Sequence, residues 1–347
     1  MKKELRIGLV GTGSIGKTHI ERINSTLQGG RVVAVADVNV EFGKSVADKY
    51  GLLHFEFGEE MIASNDIDAL MVTTSDSYHE EFVMAAIKNR KYVFCEKPLA
   101  PTKEACRRII DAEIEAGKKF TQVGFMRRFD SGYIQLKKLI SEEAYGQPLM
   151  LHCAHRNYSD PAAGWKTETT IPNSLVHEMD VVRWLLGEDY SKVEVVFPKS
   201  TRNANPELKD PQIMILTTKS GVRIDVESFV NCRYGYDIKC EVVCEEGVLN
   251  LPNIPNVVIK SNAFVINPID EDWPTRFVDA YNTEIQQWIN SCLNDIVTGP
   301  TAWDGYVAAI TSDSACLARD TCKVVEIDIE DCPQLYKLGE VEYETCL

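Results

Sequence analysis

The sequence predicts an α/β protein, with an N-terminal doubly wound parallel sheet followed by an α+β domain that contains an antiparallel sheet. Three observations support this fold class: strands and helices alternate up to residue 124, a glycine-rich turn follows the first strand, and runs of strands replace the alternation after Gly124. A chain of 347 residues exceeds the usual size of one core. We therefore expect two domains, residues 1–124 and 125–347.

In the first 124 residues, short apolar runs alternate with helical patterns, as in a parallel sheet covered on both faces. Right-handed crossovers then make a doubly wound domain the expected arrangement. The predicted strands are Arg6–Val10, Arg31–Ala36, Ala69–Val72, Tyr92–Cys95 and Phe120–Val123. The predicted helices are Lys17–Leu27, Glu41–Tyr50, His79–Asn89 and Lys103–Glu115.

After Gly124 the pattern changes to a helix (Gly132–Ser141), a strand (Leu149–His155) and a second helix (Ile171–Gly187). Strands without intervening helices follow, which indicates an antiparallel sheet. These predicted strands are Val193–Phe197, Gln212–Thr217, Val222–Val230 and Tyr236–Cys244, and the predicted closing helices are Thr275–Ile296 and Ala302–Arg319.

The chain is acidic, with 37 Lys and Arg residues against 52 Asp and Glu residues and a net charge of −15. Such a surface repels phosphate backbones, so we expect no nucleic-acid partner. No apolar run approaches the roughly 20 residues that a membrane-spanning helix needs. The start MKKELRIGLVG is not a signal peptide. We expect a cytoplasmic protein without a membrane partner.

Eleven cysteines are scattered along the chain without a CxxC pair, which is typical of a reducing compartment. Cys240 and Cys244 lie four residues apart on a predicted strand, so both side chains face the same side of the sheet. A metal site is one interpretation, but buried thiols fit the apolar segment better. No metal is predicted.

The segment GTGSIG has the G-x-G-x-x-G spacing and lies between a strand and an amphipathic helix, the context that a dinucleotide-binding turn requires. The first glycine makes the turn, the second lets the backbone approach a pyrophosphate, and the third packs helix on strand. A glycine turn without a ligand is the alternative. The predicted cofactor contacts of the turn are Gly11, Gly13, Ser14, Ile15 and Gly16.

The second predicted strand ends in Asp37, 21 residues after Gly16. A carboxylate there accepts hydrogen bonds from the adenosine ribose diol and repels a 2′-phosphate. The next residues, Val38 and Asn39, supply no arginine that would hold such a phosphate. The sequence therefore predicts NAD rather than NADP.

Two further strand ends face the same expected crevice, because ligands bind at the carboxyl ends of parallel strands. Thr73 and Thr74 end one strand, and their alternative role is to cap the helix that begins at His79. Glu96 and Lys97 end the next strand. A lysine there can hold a developing alkoxide, and the alternative is a surface ion pair with the glutamate.

The predicted helix Ile171–Gly187 stacks four polar or aromatic side chains on one face, namely Asn173, His177, Asp180 and Trp184. A histidine flanked by polar groups on an otherwise buried helix is a candidate acid or base. The alternative is a core histidine whose hydrogen bonds a neighbouring Asp satisfies.

Seven segments together resemble the glucose–fructose oxidoreductase/inositol dehydrogenase family: GTGSIGKTHI, CEKPLA, QVGFMRRFDSGY, HCAHRN, VHEMDVVRWLLG, NCRYGYDIKCE and GPTAWDGY. They occur in the family's order from residue 7 to about residue 306, which is nearly the whole chain. The glycine motif and EKP mark the broad family, whereas the MRRFDSGY, HCAHRN and NCRYGYD segments are closer to its inositol-oxidising branch.

The resemblance implies a Rossmann domain, a C-terminal α+β domain with a large, mostly antiparallel open sheet, and homotetramers that pack through those sheets. It assigns the catalytic group to Lys97 and His177. It adds His79 and Glu96 to the NAD site, beside the glycines, Asp37 and Thr73. The implied polyol contacts are Arg127, His155, Asn157, Asp180 and Tyr236.

One position departs from the family pattern. The family's catalytic group usually has an Asp four residues before the histidine, where this chain has Asn173. An asparagine accepts a hydrogen bond from imidazole but brings no charge that would stabilise imidazolium. Its alternative role is a helix N-cap, a common position for asparagine.

The expected activity is NAD-dependent oxidation of one secondary alcohol of a cyclic polyol, with myo-inositol as the substrate and a keto-inositol as the product. His177 is expected to accept the hydroxyl proton, and Lys97 to hold the substrate oxygen. Another inositol isomer or a pyranose sugar is the alternative substrate. A non-catalytic NAD-binding sensor is the alternative of a different class.

Overall fold

The computed structural model describes residues 4–158, 164–252 and 257–337, and these residues form two compact units. The first unit takes its described residues from Met1–Phe125, Tyr281–Ala309 and Glu330–Leu347. The second takes them from Met126–Ala280 and Ile310–Ile329.

The first unit contains a six-stranded, fully parallel sheet in the order β3-β2-β1-β4-β5-β6. This order places the switch point of a doubly wound sheet between β1 and β4, so the predicted fold class is confirmed. The strands are β1 Leu5–Val10, β2 Gly30–Ala36, β3 Leu53–Phe55, β4 Ala69–Val72, β5 Tyr92–Cys95 and β6 Thr121–Val123. All four residues of β4 and of β5 are buried, which explains their unbroken apolar runs.

Helices connect these strands, and the second of them is capped at both ends. The Asn39 side chain accepts from the Phe42 N–H at the start of the second helix, and Gly51 ends that helix with a φ of 68°. The helices up to residue 116 are α1 Ser14–Ser25, α2 Val40–Tyr50, α3 Gly58–Ala63, α4 His79–Lys88 and α5 Lys103–Ala116. The sequence pattern omits β3 and α3, because segments of three and six residues are too short to show a period.

The second unit is built on a seven-stranded sheet in the order β12-β11-β7-β10-β9-β8-β15. All neighbours are antiparallel except β7 and β10, so the sheet is mixed but mostly antiparallel, as predicted. Its strands are β7 Pro148–Arg156, β8 Tyr190–Val196, β9 Gln212–Thr218, β10 Arg223–Phe229, β11 Asp237–Cys244, β12 Val248–Asn250 and β15 Val325–Glu326. A separate hairpin pairs β13 Ile259–Ser261 with β14 Phe264–Ile266.

The helices of the second half differ from the prediction at two places. Instead of one helix over Thr275–Ile296, α9 (Trp273–Arg276) ends at Phe277, whose ψ of 20° breaks the helix, and α10 (Val278–Leu293) follows. The predicted helix at Ile171 begins earlier, as described below. The remaining helices are α6 Ser131–Ser141, α7 Thr167–Thr170, α8 Val176–Leu186, α11 Ala302–Thr321 and α12 Gln334–Lys337.

The two units are not the two contiguous segments that the sequence pattern favours. The first change of unit, between Phe125 and Met126, lies one residue from the predicted boundary, but the chain returns to the first unit at Tyr281 and again at Glu330. Composition carries no trace of such a return, since it arises from contacts between residues far apart in sequence.

None of the helices in the described residues is long and apolar enough to cross a membrane. Among these residues there is also no group of three or more His, Cys, Asp and Glu side chains arranged to hold a metal ion. Cys240 and Cys244 are buried free thiols on β11, as the sequence indicates.

Candidate active site

The glycine turn between β1 and α1 has the close packing that its spacing predicts. Gly11 has a φ of +88°, and a Cβ there would lie 2.6 Å from the Thr74 backbone nitrogen. A Cβ on Gly16 would lie 2.2 Å from the Gly11 carbonyl oxygen. Gly13 is different, because a Cβ there meets no described atom within 4 Å. Gly11 and Gly16 are therefore required for packing, whereas Gly13 leaves an open space beside the backbone, which we call the open cradle.

The open cradle lies at the N-terminus of α1, where Gly13 is the N-cap and has no side chain to satisfy the first backbone N–H groups. Ser14 and Ile15 form the first turn, and Ser14 is exposed. A helix N-terminus with free donors and a positive dipole end binds an anion. This turn therefore fits the pyrophosphate of a dinucleotide.

Asp37 follows β2, and the glycine turn orients its carboxylate. One oxygen accepts from the Thr12 backbone nitrogen at 2.6 Å and from the Thr12 hydroxyl at 2.8 Å, and the other accepts from the Asn39 nitrogen at 2.9 Å. Asp37 is half-buried, and Val38 beside it is exposed. The charge is thus fixed beside the cradle, where it fits an adenosine ribose with a free 2′-hydroxyl.

Thr73 does not cap the following helix, which was its alternative role. Its buried hydroxyl donates to the Gly11 carbonyl oxygen at 2.7 Å, and so ties β4 to the glycine turn. The Thr74 hydroxyl contacts the Ser75 carbonyl oxygen at 3.1 Å, and α4 has Tyr78 as its N-cap with no side-chain cap. The capping interpretation of these threonines is wrong.

His79 is buried at the start of α4 and bridges two strand ends. Its Nδ1 lies 2.7 Å from the Pro98 carbonyl oxygen, and its Nε2 lies 3.2 Å from the Thr74 carbonyl oxygen. The ring therefore links the residues that follow β4 to those that follow β5, in the part of the first unit where the predicted NAD contacts lie.

Glu96 and Lys97 directly follow β5, and Glu96 is buried rather than on the surface. Its Oε1 lies 2.9 Å from His19 Nε2, and its Oε2 accepts from the Lys97 backbone nitrogen at 3.3 Å. Burial by itself raises the pKa of the Glu96 carboxyl, but the hydrogen bond from His19 and the charge of Lys97 outweigh burial and hold it below its ordinary value. The interpretation as a surface ion pair is wrong.

In the second unit, His177 lies in the first turn of α8 and is 7% exposed. The helical segment begins at Thr167, and Ile171–Leu175 is a π-helix between α7 and α8. The α-helical spacing used to predict one polar face therefore holds only from Val176 onward. π-Helical turns occur frequently at functional sites, so the irregular backbone immediately before His177 agrees with a catalytic role.

Asn173 lies inside the π-helix and is exposed. Leu175 is the N-cap of α8, and Thr170 is the N-cap of the π-helix, so Asn173 caps neither element. The N-cap interpretation of Asn173 is wrong. Its proposed influence on His177 remains a prediction.

A buried cluster joins the predicted polyol contacts of the second unit. The guanidinium of Arg127 pairs with Glu178, whose other oxygen lies 3.1 Å from His155 Nδ1. His155 Nε2 lies 3.5 Å from the Tyr236 hydroxyl, and the two rings meet edge to face with centroids 5.7 Å apart. All four side chains are at most 5% exposed.

The charges of this cluster are strongly coupled. Burial alone raises the pKa of Glu178, but Arg127 and His155 lower it to about 2, so Glu178 is a carboxylate at neutral pH. Burial raises the pKa of the Tyr236 hydroxyl to about 12, which keeps it a neutral donor. The cluster thus presents a cation, an anion, an imidazole and a phenol within one buried network.

Helix α8, which carries Glu178, also carries Asp180, and Asp180 makes a second ion pair. Arg128 donates from Nε at 2.9 Å, and again from Nη2, to the two carboxylate oxygens of Asp180. Asp180, a predicted polyol contact, therefore accepts two hydrogen bonds from a guanidinium. Asn157 follows β7, is half-buried, and its backbone is held by Phe229 and Cys232.

Glu178 and Arg128 are absent from the predicted site. Their signal in the sequence is a pair of acids, Glu178 and Asp180, on an apolar helix, together with two adjacent arginines in MRRF. Charges are almost never fully buried without partners, so these four residues require one another. Sequence order does not show which arginine meets which acid.

Family models and relatives match most of this chain. A model of the oxidoreductase family with an NAD-binding Rossmann fold (GFO/IDH/MocA) matches residues 5–125, and a model of the GFO/IDH/MocA C-terminal domain matches residues 133–250. Inositol 2-dehydrogenase of Klebsiella pneumoniae is 47% identical over 335 residues, which cover 96% of this chain and 99% of the relative. The enzyme of the same name from Burkholderia cenocepacia is 48% identical with the same coverage.

A solved structure also matches almost the whole chain. The structure of myo-inositol dehydrogenase from Lactobacillus casei, in complex with NAD(H) and myo-inositol, has a TM-score of 0.93 and 36% sequence identity, and the match covers 96% of this chain and 99% of that chain. The family predicted from the sequence is thus confirmed. The chain belongs to the glucose–fructose oxidoreductase/inositol dehydrogenase family of NAD-dependent oxidoreductases.

Proposed function

We propose that the chain is an NAD-dependent inositol 2-dehydrogenase that oxidises one secondary alcohol of myo-inositol to a keto group. The observation that carries this proposal is the buried cluster of Arg127, His155, Glu178 and Tyr236. A cyclic polyol presents hydroxyls around its whole ring, so a specific site needs several converging donors and acceptors of this kind. The inositol 2-dehydrogenases related over nearly the full chain support the same substrate.

Residues of the first unit would hold NAD. The backbone of the glycine turn would bind the pyrophosphate, Asp37 would bind the adenosine ribose, and Thr73, Thr74, His79 and Glu96 would line the strand ends around them. When bound, NAD supplies a carbon that accepts a hydride.

His177 acts as the general base and takes the proton of the hydroxyl that is oxidised. Lys97 donates to the same oxygen and stabilises the alkoxide while the carbon loses its hydride. Arg127, His155, Asn157, Asp180 and Tyr236 orient the polyol, so that one ring C–H is presented for transfer.

The substrate proposal is tested by measuring NADH formation with myo-, scyllo- and chiro-inositol and with pyranose sugars, each with NAD and with NADP. The highest kcat/KM is expected for myo-inositol with NAD. A higher value for another isomer or a sugar would replace the proposed substrate. No turnover together with intact NAD binding would favour a non-catalytic sensor.

Asp37→Asn tests the cofactor preference, because the amide keeps the shape of the side chain and removes its charge. The variant is expected to bind NAD more weakly and to discriminate less against NADP. Asp48→Asn, at an exposed aspartate of α2, is the control. If the wild type already prefers NADP, the ribose argument is wrong.

We further propose a cytoplasmic homotetramer. One face of the second sheet is buried, whereas the other carries half-exposed apolar side chains, among them Ile213, Ile215 and Val243. A partly apolar sheet face of this kind favours association with another copy. Light scattering should give four times the chain mass, and Ile215→Arg should lower that mass, whereas Leu317→Arg on an exposed position of α11 should not. A wild-type monomer would contradict the proposal.

A further inference from the structure

Two polar side chains that the proposed reaction does not use, Arg22 and His19, form a chain of contacts with Glu96 in the first unit. Arg22 Nη1 lies 2.6 Å from His19 Nδ1, and His19 Nε2 lies 2.9 Å from Glu96 Oε1. His19 is completely buried, and Glu96 is nearly so. This contact chain runs from α1, the helix that follows the glycine turn, to the residues directly after β5, where Lys97 lies.

The chemistry of these groups fixes where the protons are. A guanidinium only donates, so His19 Nδ1 must accept from Arg22. The ring proton is then on Nε2, and it is donated to the Glu96 carboxylate. Burial lowers the pKa of His19, Glu96 opposes this shift, and the charge of Arg22 reinforces it. His19 is therefore a neutral imidazole in a single tautomer.

Residues of α10 hold the Arg22 end of this contact chain, and a residue of β5 packs against His19 in its middle. Arg22 Nε donates to the Asn282 side-chain oxygen at 3.0 Å, its guanidinium lies 5.0 Å from the Tyr281 ring centroid, and the buried Glu284 attracts its charge. The His19 ring meets the Phe94 ring edge to face at 6.1 Å. Neither ring nor guanidinium can turn without losing these contacts.

The far end of the contact chain meets the lysine. Glu96 Oε2 accepts from the Lys97 backbone nitrogen, and the Lys97 charge lowers the pKa of Glu96. The attraction is mutual, so a carboxylate fixed at this point favours the charged form of the lysine and restricts its position. A Cβ on Gly124 would lie 3.1 Å from Glu96 Oε2, so the backbone packs closely against the carboxylate.

We propose that Arg22 and His19 are positioning residues for the oxidation, because they hold Glu96 as an oriented carboxylate beside Lys97. Arg22 selects the tautomer of His19, His19 orients and keeps the charge of Glu96, and Glu96 places the Lys97 cation. The inference rests on the proposed function of Lys97. In this proposal α1, the helix that follows the glycine turn, also supports the catalytic Lys97.

Two isosteric substitutions of His19 separate its two hydrogen bonds. The amide of His19→Gln places a donor near the former Nε2, whereas the shorter amide of His19→Asn reaches only the former Nδ1. We expect His19→Gln to keep kcat near the wild-type value and His19→Asn to lose it roughly tenfold or more, with NAD affinity changed little in both. Equal losses in the two variants would overturn the proposal. Glu21→Gln, at an exposed position of α1, is the control.

The pH profile distinguishes positioning from a structural role. Without the bond from His19, burial raises the pKa of Glu96, so the kcat of His19→Asn relative to the wild type should fall further as the pH is lowered, in addition to the rising limb that His177 sets in both proteins. In a Glu96→Gln background, His19→Asn should cost little further activity. A relative kcat that does not change with pH, or the same loss in both backgrounds, would show that His19 only packs.

A measurement without turnover tests the tautomer. Nitrogen chemical shifts of the six histidines, with His19 assigned from the His19→Gln variant, should show His19 protonated on Nε2 only. Arg22→Met should introduce the Nδ1-protonated or the charged form. A wild-type His19 protonated on Nδ1 would overturn the proposal whatever the variants do. Near-normal kcat in Lys97→Ala would instead refute the proposed function while leaving the tautomer intact.

Discussion

At the scale of single residues, the structure decides between local roles that the sequence left open. Thr73 and Thr74 were ambiguous in sequence, and the Thr73 hydroxyl proves to donate to the glycine turn instead of capping a helix. Asn173 caps no helix. In both cases a short polar side chain has several local partners available, so residue type alone does not decide between them.

Lys97 supplies the first test at this scale. Lys97→Ala should lower kcat by about two orders of magnitude or more, because no other proposed group donates a charged hydrogen bond to the alkoxide. NAD binding, measured by fluorescence titration, should persist, since the glycine turn is unchanged. Lys103→Ala, at an exposed lysine at the start of α5, is the control. Near-normal kcat in Lys97→Ala would refute the assigned role.

Asn173 supplies the second test. A carboxylate close to an imidazole stabilises its charged form, so Asn173→Asp should move the rising limb of the pH–rate profile to higher pH. Because Asn173 is exposed, solvent should keep the displacement well below that of a buried pair. The profile should be compared with that of Asn173→Ser. If the rising limb of the pH–rate profile lies at the same pH in Asn173→Asp and in the wild type, this position does not tune His177.

At the scale of elements, the sequence pattern predicts long, periodic segments well and irregular ones poorly. All five predicted strands of the first sheet are present, with the right neighbours for a doubly wound fold. The π-helix at Ile171–Leu175 was missed, because a single turn of different pitch hardly changes the apolar pattern. The break at Phe277 was missed because no proline or glycine marks it.

The glycine turn allows a matched pair of variants. Gly16→Ala places a Cβ 2.2 Å from the Gly11 carbonyl oxygen, so it should destabilise the protein by roughly 1–3 kcal/mol as well as weaken NAD binding. Gly13→Ala has open space around it and should leave the melting temperature unchanged while NAD affinity falls. Thermal unfolding with and without NAD measures both effects. Equal destabilisation by the two substitutions would contradict the assigned division of roles.

The ion pair between α8 and the MRRF turn supports a stability prediction. Glu178 has its pKa lowered to about 2, below the value of about 4.3 for an unfolded glutamate, so its stabilisation is complete above the unfolded value and is lost as pH falls toward 2. Glu178→Ala should cost roughly 3–5 kcal/mol, because it leaves the Arg127 cation buried.

The double variant Arg127→Met/Glu178→Met removes both charges and serves as the comparison for Glu178→Ala. It should lower the free energy of unfolding less than Glu178→Ala does, because it leaves no buried charge. Unfolding by urea at pH 7 and at pH 4 measures the difference. A Glu178→Ala variant as stable as the double variant would show that Arg127 has another buried partner of equal strength.

At the scale of the whole molecule, the glycine motif, the strand ends and the resemblance were enough to predict the fold class, the family and NAD. What they did not predict are the contacts that join distant segments. The pairing of Arg127 with Glu178 crosses 51 positions, and that of Arg22 with Asn282 crosses 260. One sequence carries no record of such pairs, because each residue type has many acceptable partners.

The return of the chain to the first unit has a consequence for synthesis of the protein. Phe94 packs edge to face on Trp288, Leu99 lies against Gly305, and the Tyr336 hydroxyl donates to the buried Glu113 carboxylate. When only the first 125 residues have been synthesised, the dinucleotide-binding sheet therefore still lacks the later segments that pack against its apolar side chains. The first unit cannot complete its packing until nearly the whole chain has been synthesised. Fragments cut at the first domain boundary should therefore aggregate instead of folding.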